Sequence, residues 1–296
     1  MADNNHASEL SLLARSWISY TVGVVMGQFE PGKENGLGRG RFNAETANLL
    51  QKLKDEDGLL VKDPGHPDDL AARVLVALEV ILGETEAESL LRHALGNNGE
   101  PAAMLRDYLA DKFFKEHIQR YRKRPIYWYL RSARSNYGLW LYYHRLDKDI
   151  LFKALLNYVE PKIRLEEDRL NTLRARKEKA GRSGREAKKI EKEIDSQEQF
   201  VSELRDFEEK LRRVANLHLD FDLNDGVILN MAPLWELVHW SEPKKYWMPF
   251  RKAGTTGRIY RTRFGPNGWR SCAGRTAPSP SHMGGKIYAK LNLPRP

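Results

Sequence analysis

At 296 residues and 41% hydrophobic, the chain is long enough to bury a sizeable core and to form about two domains. Its first residues, MADNNHASEL, are polar, and its longest early apolar run, Val22 to Met26, is far short of the roughly 20 residues a membrane span needs. A cytoplasmic location is therefore the expectation, and a single cysteine, Cys272, excludes an internal disulfide framework or a cysteine-rich zinc site.

The formal net charge of +9 points toward nucleic acid, but it is not evenly spread. From Pro243 to the C-terminus there are 12 Lys plus Arg and no Asp or Glu, leaving 37 basic against all 40 acidic residues in the rest. The body is slightly acidic, and any nucleic-acid surface on it must be a local cluster.

Glu9 to Phe29 reads as a first helix, with Leu10, Leu13, Trp17, Tyr20 and Val24 at spacings of three and four. Gly36, Gly38 and Gly40 follow in a loop that resembles a phosphate cradle, but no strand precedes it and no GKS or GKT follows, so a connection is predicted. Asn43 to Asp55 reads as a short helix, Leu59 to Val61 as a short strand, and Pro67, Asp68 and Asp69 as the first turn of a helix running to Leu82. His66, Asp68 and Asp69 look like a metal cluster, yet no second cluster completes the coordination, and helix-start chemistry is the preferred reading. Glu84 to Leu95 and Pro101 to Arg122 continue the helical pattern.

The most informative stretch is Lys123 to Leu146, KRPIYWYLRSARSNYGLWLYYHRL. Two alternating aromatic runs, Pro125 to Leu130 and Gly138 to Leu146, flank a polar connection, which predicts a β-hairpin with two apolar faces, both covered. Arg120, Arg122, Lys123, Arg124, Arg131, Arg134 and Arg145 lie at its ends and turn, and Tyr121, Tyr127 and Trp140 are interleaved with them. Cations next to aromatic rings suit phosphate contact and base stacking. A buried structural hairpin with a solvated basic rim fits the same residues.

Asp147 starts a long helix, with Leu156, Val159, Ile163, Glu166, Leu170, Leu173 and Lys177 on a heptad seam interrupted by two charges. AGRSG, Ala180 to Gly184, breaks it, and a second arm runs through Ile190, Ile194, Val201, Leu204 and Leu211. Together they read as an antiparallel helical hairpin suited to spacing domains or meeting a partner. Asp220, Asp222, Asn224, Asp225 and Gly226 imitate a calcium loop but lack its closing glutamate, so a turn into a short strand and then a helix from Pro233 is predicted.

The acid-free tail has no hydrophobic periodicity and reads as out of frame from near Lys252, or disordered. Permissible codons moved back one nucleotide allow strings such as D-W-A-H-L, I-W-P-E-R and D-R-S-L-A-I-A-H, with ordinary acid content. The gene's nucleotide sequence tests this directly. A genuine basic arm binding nucleic acid is the alternative. The predicted organisation is a helical region 1–122, the aromatic hairpin 123–146, a helical hairpin 147–219, a closing segment 220–250 and the tail 251–296. The fold class is mainly α with a small β-hairpin (α+β), a long antiparallel coiled-coil hairpin and an irregular C-terminal tail.

There is no G-x-S-x-G elbow, H-E-x-x-H or P-loop. The segments SYTVGVVMGQF, DDLAARVLVALEVI, RPIYWYL, LWLYYHRLDKDIL, NYVEPKI and LNDGVILNMAPLWEL, in this order, resemble the C-terminal region of large adenine-specific DNA methyltransferases of the BREX phage-defence and restriction-modification type. The resemblance implies an enzyme that uses S-adenosylmethionine and an N-P-P-Y motif to methylate a flipped adenine. No Asn-Pro-Pro and no cofactor glycine motif occur here, so no catalytic residue and no cofactor are assigned to this chain. The implied role is a non-catalytic, truncated or split DNA-recognition segment whose partners are DNA and a methyltransferase catalytic domain or other defence proteins. A coiled-coil interaction fragment and a decayed gene piece are the alternatives.

Overall fold

The computed structural model describes residues 2–31, 42–96, 99–180, 184–224 and 226–252. The glycine-rich loop, the centre of the AGRSG break, Asp225 and the tail from 253 onward lie outside the described residues. Two compact units are present.

The first unit holds the described residues of 1–60 and 64–113. Its helices are α1 (Ala2–Val25), α2 (Ala44–Leu53), α3 (Leu70–Leu82), α4 (Glu84–Leu95) and α5 (Pro101–Tyr108), with a π-helical turn Leu109–Phe113 after α5. The most apolar helix, α3, packs against the other four. The face that α1 buries centres on Ala14, Ile18, Val22 and Val25, rotated from the predicted stripe of Leu13, Trp17 and Tyr20. The reason is local: Thr21 to Met26 is buried all round, so the last two turns set the face. Asn43 and Asp69 cap α2 and α3, accepting from Thr46 N at 2.7 Å and Ala72 N at 3.2 Å.

The three residues that imitate a metal cluster have structural roles. His66 Nδ1 accepts from Asp68 N at 3.0 Å, and Asp68 pairs with Arg73. Asp69, fully buried, receives Arg106 at 2.6 Å, which balances a carboxylate that would be costly alone.

The second unit holds residues 61–63 and the described part of 114–254. It contains α6 (Phe114–Arg120), β2 (Tyr127–Arg131), β3 (Gly138–Tyr142), α7 (Ile150–Ala154), α8 (Glu160–Ala180), α9 (Arg185–Ala215), α10 (Val227–Met231) and α11 (Ser241–Lys252). The short strand β1 (Leu59–Lys62) completes a three-stranded sheet of order β1-β3-β2. β2 and β3 are antiparallel, with Tyr127 opposite Tyr142, Tyr129 opposite Trp140 and Arg131 opposite Gly138. The hairpin therefore forms as the alternation requires, and both its faces are covered. Tyr129 and Trp140 stack at 4.4 Å between centroids under Phe114 of α6. On the other face Trp128 meets Tyr143 and Phe221. Gly138 is required by this packing, since a Cβ there would lie 2.5 Å from the Tyr129 ring.

β3 is shorter than predicted. The ladder ends with Tyr143 N donating to Ile126 O at 2.7 Å, and Tyr143–Arg145 turns into a 3-10 helix. The expected strand after the Asn-Asp-Gly turn is helix α10 instead, and the helix expected at Pro233 is a 3-10 turn, Ala232–Leu234. A short apolar run such as Val227 to Leu229 carries no periodicity that separates strand from helix. Tertiary hydrogen bonds decide it: Asn230 Nδ2 donates to Asp222 O at 2.6 Å and to Tyr143 Oη at 3.1 Å, and Asn230 N closes back on Gly226 O.

α7 runs through a π-helical turn, Leu155–Val159, into α8, and α9 lies alongside α8. Cross-pairs run in opposite order along the two: Glu160 with Arg212, Glu167 with Arg205, Arg174 with Glu198 and Lys177 with Glu191. Leu170, Ile190 and Ile194 bury between them. The charged interruption at Glu166 is a buried polar layer, where Lys162 reaches Asp63 and Glu166, each at 2.7 Å, and Gln197 reaches Glu166 at 2.8 Å.

Candidate nucleic-acid interface

The candidate surface is built from the end of α6, the two ends of the hairpin and the connection into α11. α6 stops because Arg122 and Lys123 both adopt the left-handed conformation, with φ of 49° and 64°. Their N–H groups turn back to Gln119 O at 3.1 Å and Ile118 O at 2.8 Å, which satisfies the last carbonyls of the helix without a glycine. Two non-glycine residues in this region cost on the order of 1 kcal/mol each, and the turn presents their side chains to solvent.

His117 fastens this turn to β2. Its ring is buried between Tyr121 at 4.4 Å and Tyr127 at 4.7 Å. Nε2 accepts from Ile126 N at 3.0 Å and Tyr127 N at 3.2 Å, so the ring is the neutral Nδ1–H tautomer. Burial, with the nearby Arg120 cation in support, pushes its pKa down to about 3.

The structure groups some predicted residues and separates others. Arg120, Arg122, Lys123 and Arg124 are exposed at the α6 end, with Tyr121 half-buried beside them. Arg145 joins this group, because its turn is held against Ile126, and Tyr142 lies within the influence of both Arg145 and Tyr121. Arg131 and Arg134 sit at the opposite end of the hairpin. There Arg131 donates to Ser135 Oγ at 2.6 Å, and Arg134 donates to Gln199 Oε1 at 2.7 Å. Tyr127 and Trp140 are buried, 2% and 1% exposed, so neither ring presents a face for base stacking. That expectation is corrected: alternation in a two-sided sheet sends both rings into the layer beneath α6.

The turn that carries Arg134 is rigid. Glu203, buried on α9, accepts from Ser132 Oγ, from Arg134 N at 2.8 Å and from Asn136 Nδ2 at 2.7 Å. Lys62 adds a bond to Ser135 O at 2.6 Å, and Ser135 is itself left-handed at φ 62°. A glutamate on a heptad arm gives no sign in the sequence of clamping a turn almost 70 residues away.

Sequence reasoning also misses a second group. Arg131 N donates to Leu237 O at 3.0 Å and Leu130 bridges Val238, so the segment before α11 extends the sheet edge. His239 follows, its pKa lowered by burial and then by Arg131 and Lys115 close by. Glu242 pairs with Lys123 at 3.6 Å and with Lys245 at 3.0 Å. Lys244 lies 4.6 Å above the Trp235 ring. The signal is the string HWSEPKKYW, but Lys244 and Lys245 fall inside the acid-free stretch and are grouped by composition with the tail.

Among the described residues no group of three His, Cys, Asp or Glu side chains is placed to hold a metal ion, and no helix is long and apolar enough to cross a membrane. The helix after β1 has its N-terminus filled by Asp69 and Arg106, and β3 leads into the Tyr143–Arg145 turn rather than a glycine loop. No methyl-transfer step is assigned to these residues.

No family model matches the chain. It is 31% identical over 240 residues to the adenine-specific methyltransferase BrxX of Escherichia coli O9:H4 (strain HS), covering 75% of this chain and 20% of that protein. It is 32% identical over 229 residues to the adenine-specific methyltransferase PglX of Lacticaseibacillus casei (strain Zhang), covering 74% of this chain and 19% of that protein. The chain spans about a fifth of the length of these curated relatives.

Proposed function

From the premise that this chain belongs to the adenine-specific methyltransferases typified by BrxX and PglX, we propose that it is the non-catalytic DNA-contacting segment of such an enzyme in phage defence. The observation that carries this reading is the α6 end. A structured turn, held by His117 and by strained left-handed backbone, projects Arg122, Lys123 and Arg124 into solvent beside Arg120 and Arg145. Glycine would cap α6 equally well without the strain, so cationic side chains at Arg122 and Lys123 favour a surface role, and closely grouped cations on a slightly acidic body suit phosphate oxygens. Arg131 and Arg134 form a second contact point at the hairpin turn.

The test is salt-dependent binding of the chain to a DNA duplex. Changing Arg122, Lys123 and Arg124 together to Ala weakens binding and lowers the slope of log K against log salt by roughly 0.9 for each phosphate no longer neutralised. Unchanged binding and slope in a folded triple variant would remove the α6 end from any DNA surface. S-adenosylmethionine and the catalytic motif belong, in this reading, to a separate part of the enzyme.

A second reading has its own observation. Leu156 and Leu165 are 57% and 48% exposed along the α7–α8 helix, large apolar side chains that a coiled-coil arm would bury on a methyltransferase domain or another defence protein. Co-purification with a separately expressed methyltransferase part, abolished by Leu156→Asp and Leu165→Asp, tests it.

A further inference from the structure

The two cation groups on the hairpin lie at opposite ends of β2. Four strand steps separate Tyr127 from Arg131, about 13 Å at roughly 3.3 Å per residue. On the hairpin itself that interval is filled by buried rings. The segment Leu237 to Lys245 spans it. It starts on the Arg131 end, where Leu237 O accepts from Arg131 N and Val238 bridges Leu130. It finishes on the Lys123 end, where Glu242 pairs with Lys123. α6 runs the same way beneath it, with Lys115 near His239 and Arg131 at its start and Arg120 at its end.

We infer that Lys115, His239, Lys244 and Lys245 join Arg131 to the α6-end arginines in one continuous track for the phosphate backbone of duplex DNA. This rests on the DNA-contacting reading above and extends it to residues on α6 and α11. Lys115, His239, Lys244 and Lys245 are all exposed. Trp235, half-buried under the Lys244 ammonium, gives that cation an aromatic base. Tyr246, 40% exposed, extends the strip.

Glu242 is a carboxylate within this track. The hydrogen bond from Lys245, with the positive charge of Lys123 and Lys245 in support, holds its pKa below the usual carboxylate range. Ionised, it neutralises part of the surface at the point where the two cation groups meet. In DNA binding it opposes the phosphates, so its removal tightens binding.

The experiment uses the full-length chain and a fluorescein-labelled DNA duplex, with anisotropy followed over a salt series. Thermal melts verify folding. The basic tail is present in every variant, so its contribution cancels in the ratios. Lys115→Gln with Lys244→Gln lowers affinity by roughly tenfold and the salt slope by about two, while Glu242→Gln raises affinity several-fold. The Arg122, Lys123 and Arg124 triple Ala variant is measured alongside. If the triple variant binds weakly but the Lys115/Lys244 pair and Glu242→Gln both match the parent, the surface ends at α6 and the track is overturned. If the pair weakens binding and the triple variant does not, the continuity is overturned. If none of the variants moves binding, the DNA-contacting reading itself fails. Should the Gln pair melt early, Lys115→Arg with Lys244→Arg retains the charge and must keep parental affinity.

Discussion

Lowering the pH is the sharpest test of how the α6 end is held. His117 has a folded-state pKa of about 3 against 6.5 for an ordinary histidine, chiefly because its ring is desolvated, with Arg120 as the second cause. Its Nε2 lone pair is also used by two backbone N–H donors, Ile126 and Tyr127, so a proton there would break both bonds. With a depressed folded pKa, the unfolded chain takes up the proton first. The stabilisation is therefore complete above pH 6.5 and is lost as pH falls from 6.5 toward 3. The full difference of about 3.5 pKa units corresponds to on the order of 5 kcal/mol, of which about 2 kcal/mol is lost between pH 8 and pH 5.

Other groups titrate in the same window, so the comparison variant is His117→Gln. Its amide oxygen reaches near the Nε2 position and can accept from both N–H groups, but it does not titrate. Urea unfolding followed by tryptophan fluorescence at both pH values gives the two stability differences, and the parent should lose about 2 kcal/mol more than the variant. Histidine-selective NMR should show His117 as the Nδ1–H tautomer, without titration down to the pH where the chain unfolds. Parallel losses in parent and variant, or a His117 resonance titrating near the ordinary histidine value, would refute the buried-acceptor account.

Glu203→Ala removes the acceptor for four donors of the hairpin turn and leaves them unpaired, costing about 2–4 kcal/mol; hydrogen exchange should show the Ser132–Asn136 amides opening before the rest of the sheet. Gly138→Ala drives a methyl group into the Tyr129 ring and should destabilise by about 1–3 kcal/mol by urea titration. Arg106→Ala strands the buried Asp69 carboxylate, a loss of about 3–5 kcal/mol, whereas the joint change with Asp69→Asn recovers much of it in a double-mutant cycle.

The hairpin is legible in the sequence because its alternation is strong and its aromatic content leaves few other solutions. The helix starts near Asn43 and Asp69 are legible because short polar residues precede a periodic apolar run; the structure makes each the N-cap, with Asp69 ending the expected first turn rather than lying within it. The departures share a different cause. α10 reads as a strand because five apolar-rich residues have no period, and its helical state is fixed by Asn230 reaching Tyr143 and Asp222. Tyr127 and Trp140 look suited to stacking because they neighbour arginines in sequence, yet in a strand every second residue turns away from its neighbours, and burial on both faces leaves no open ring. The clamp at Glu203 and the joining segment at Leu237 depend on contacts across many tens of residues, which local spacing does not encode.

One further consequence separates binding from folding at the α6 end. Lys123 occupies the left-handed region at φ 64°, where glycine is free of the Cβ penalty, and its ion pair with Glu242 is long at 3.6 Å and mostly solvent-exposed on the lysine side. Lys123→Gly therefore relieves backbone strain of about 1 kcal/mol, offset in part by the freer unfolded chain, and forfeits little from the pair. Stability should stay within about 0.5 kcal/mol of the parent or rise, whereas DNA affinity falls by the worth of one phosphate contact. A residue kept only for the fold would show the reverse: a stability loss with unchanged binding. Measuring both on one variant decides whether the lysine is there for the turn or for a ligand, since the turn itself is better served by glycine.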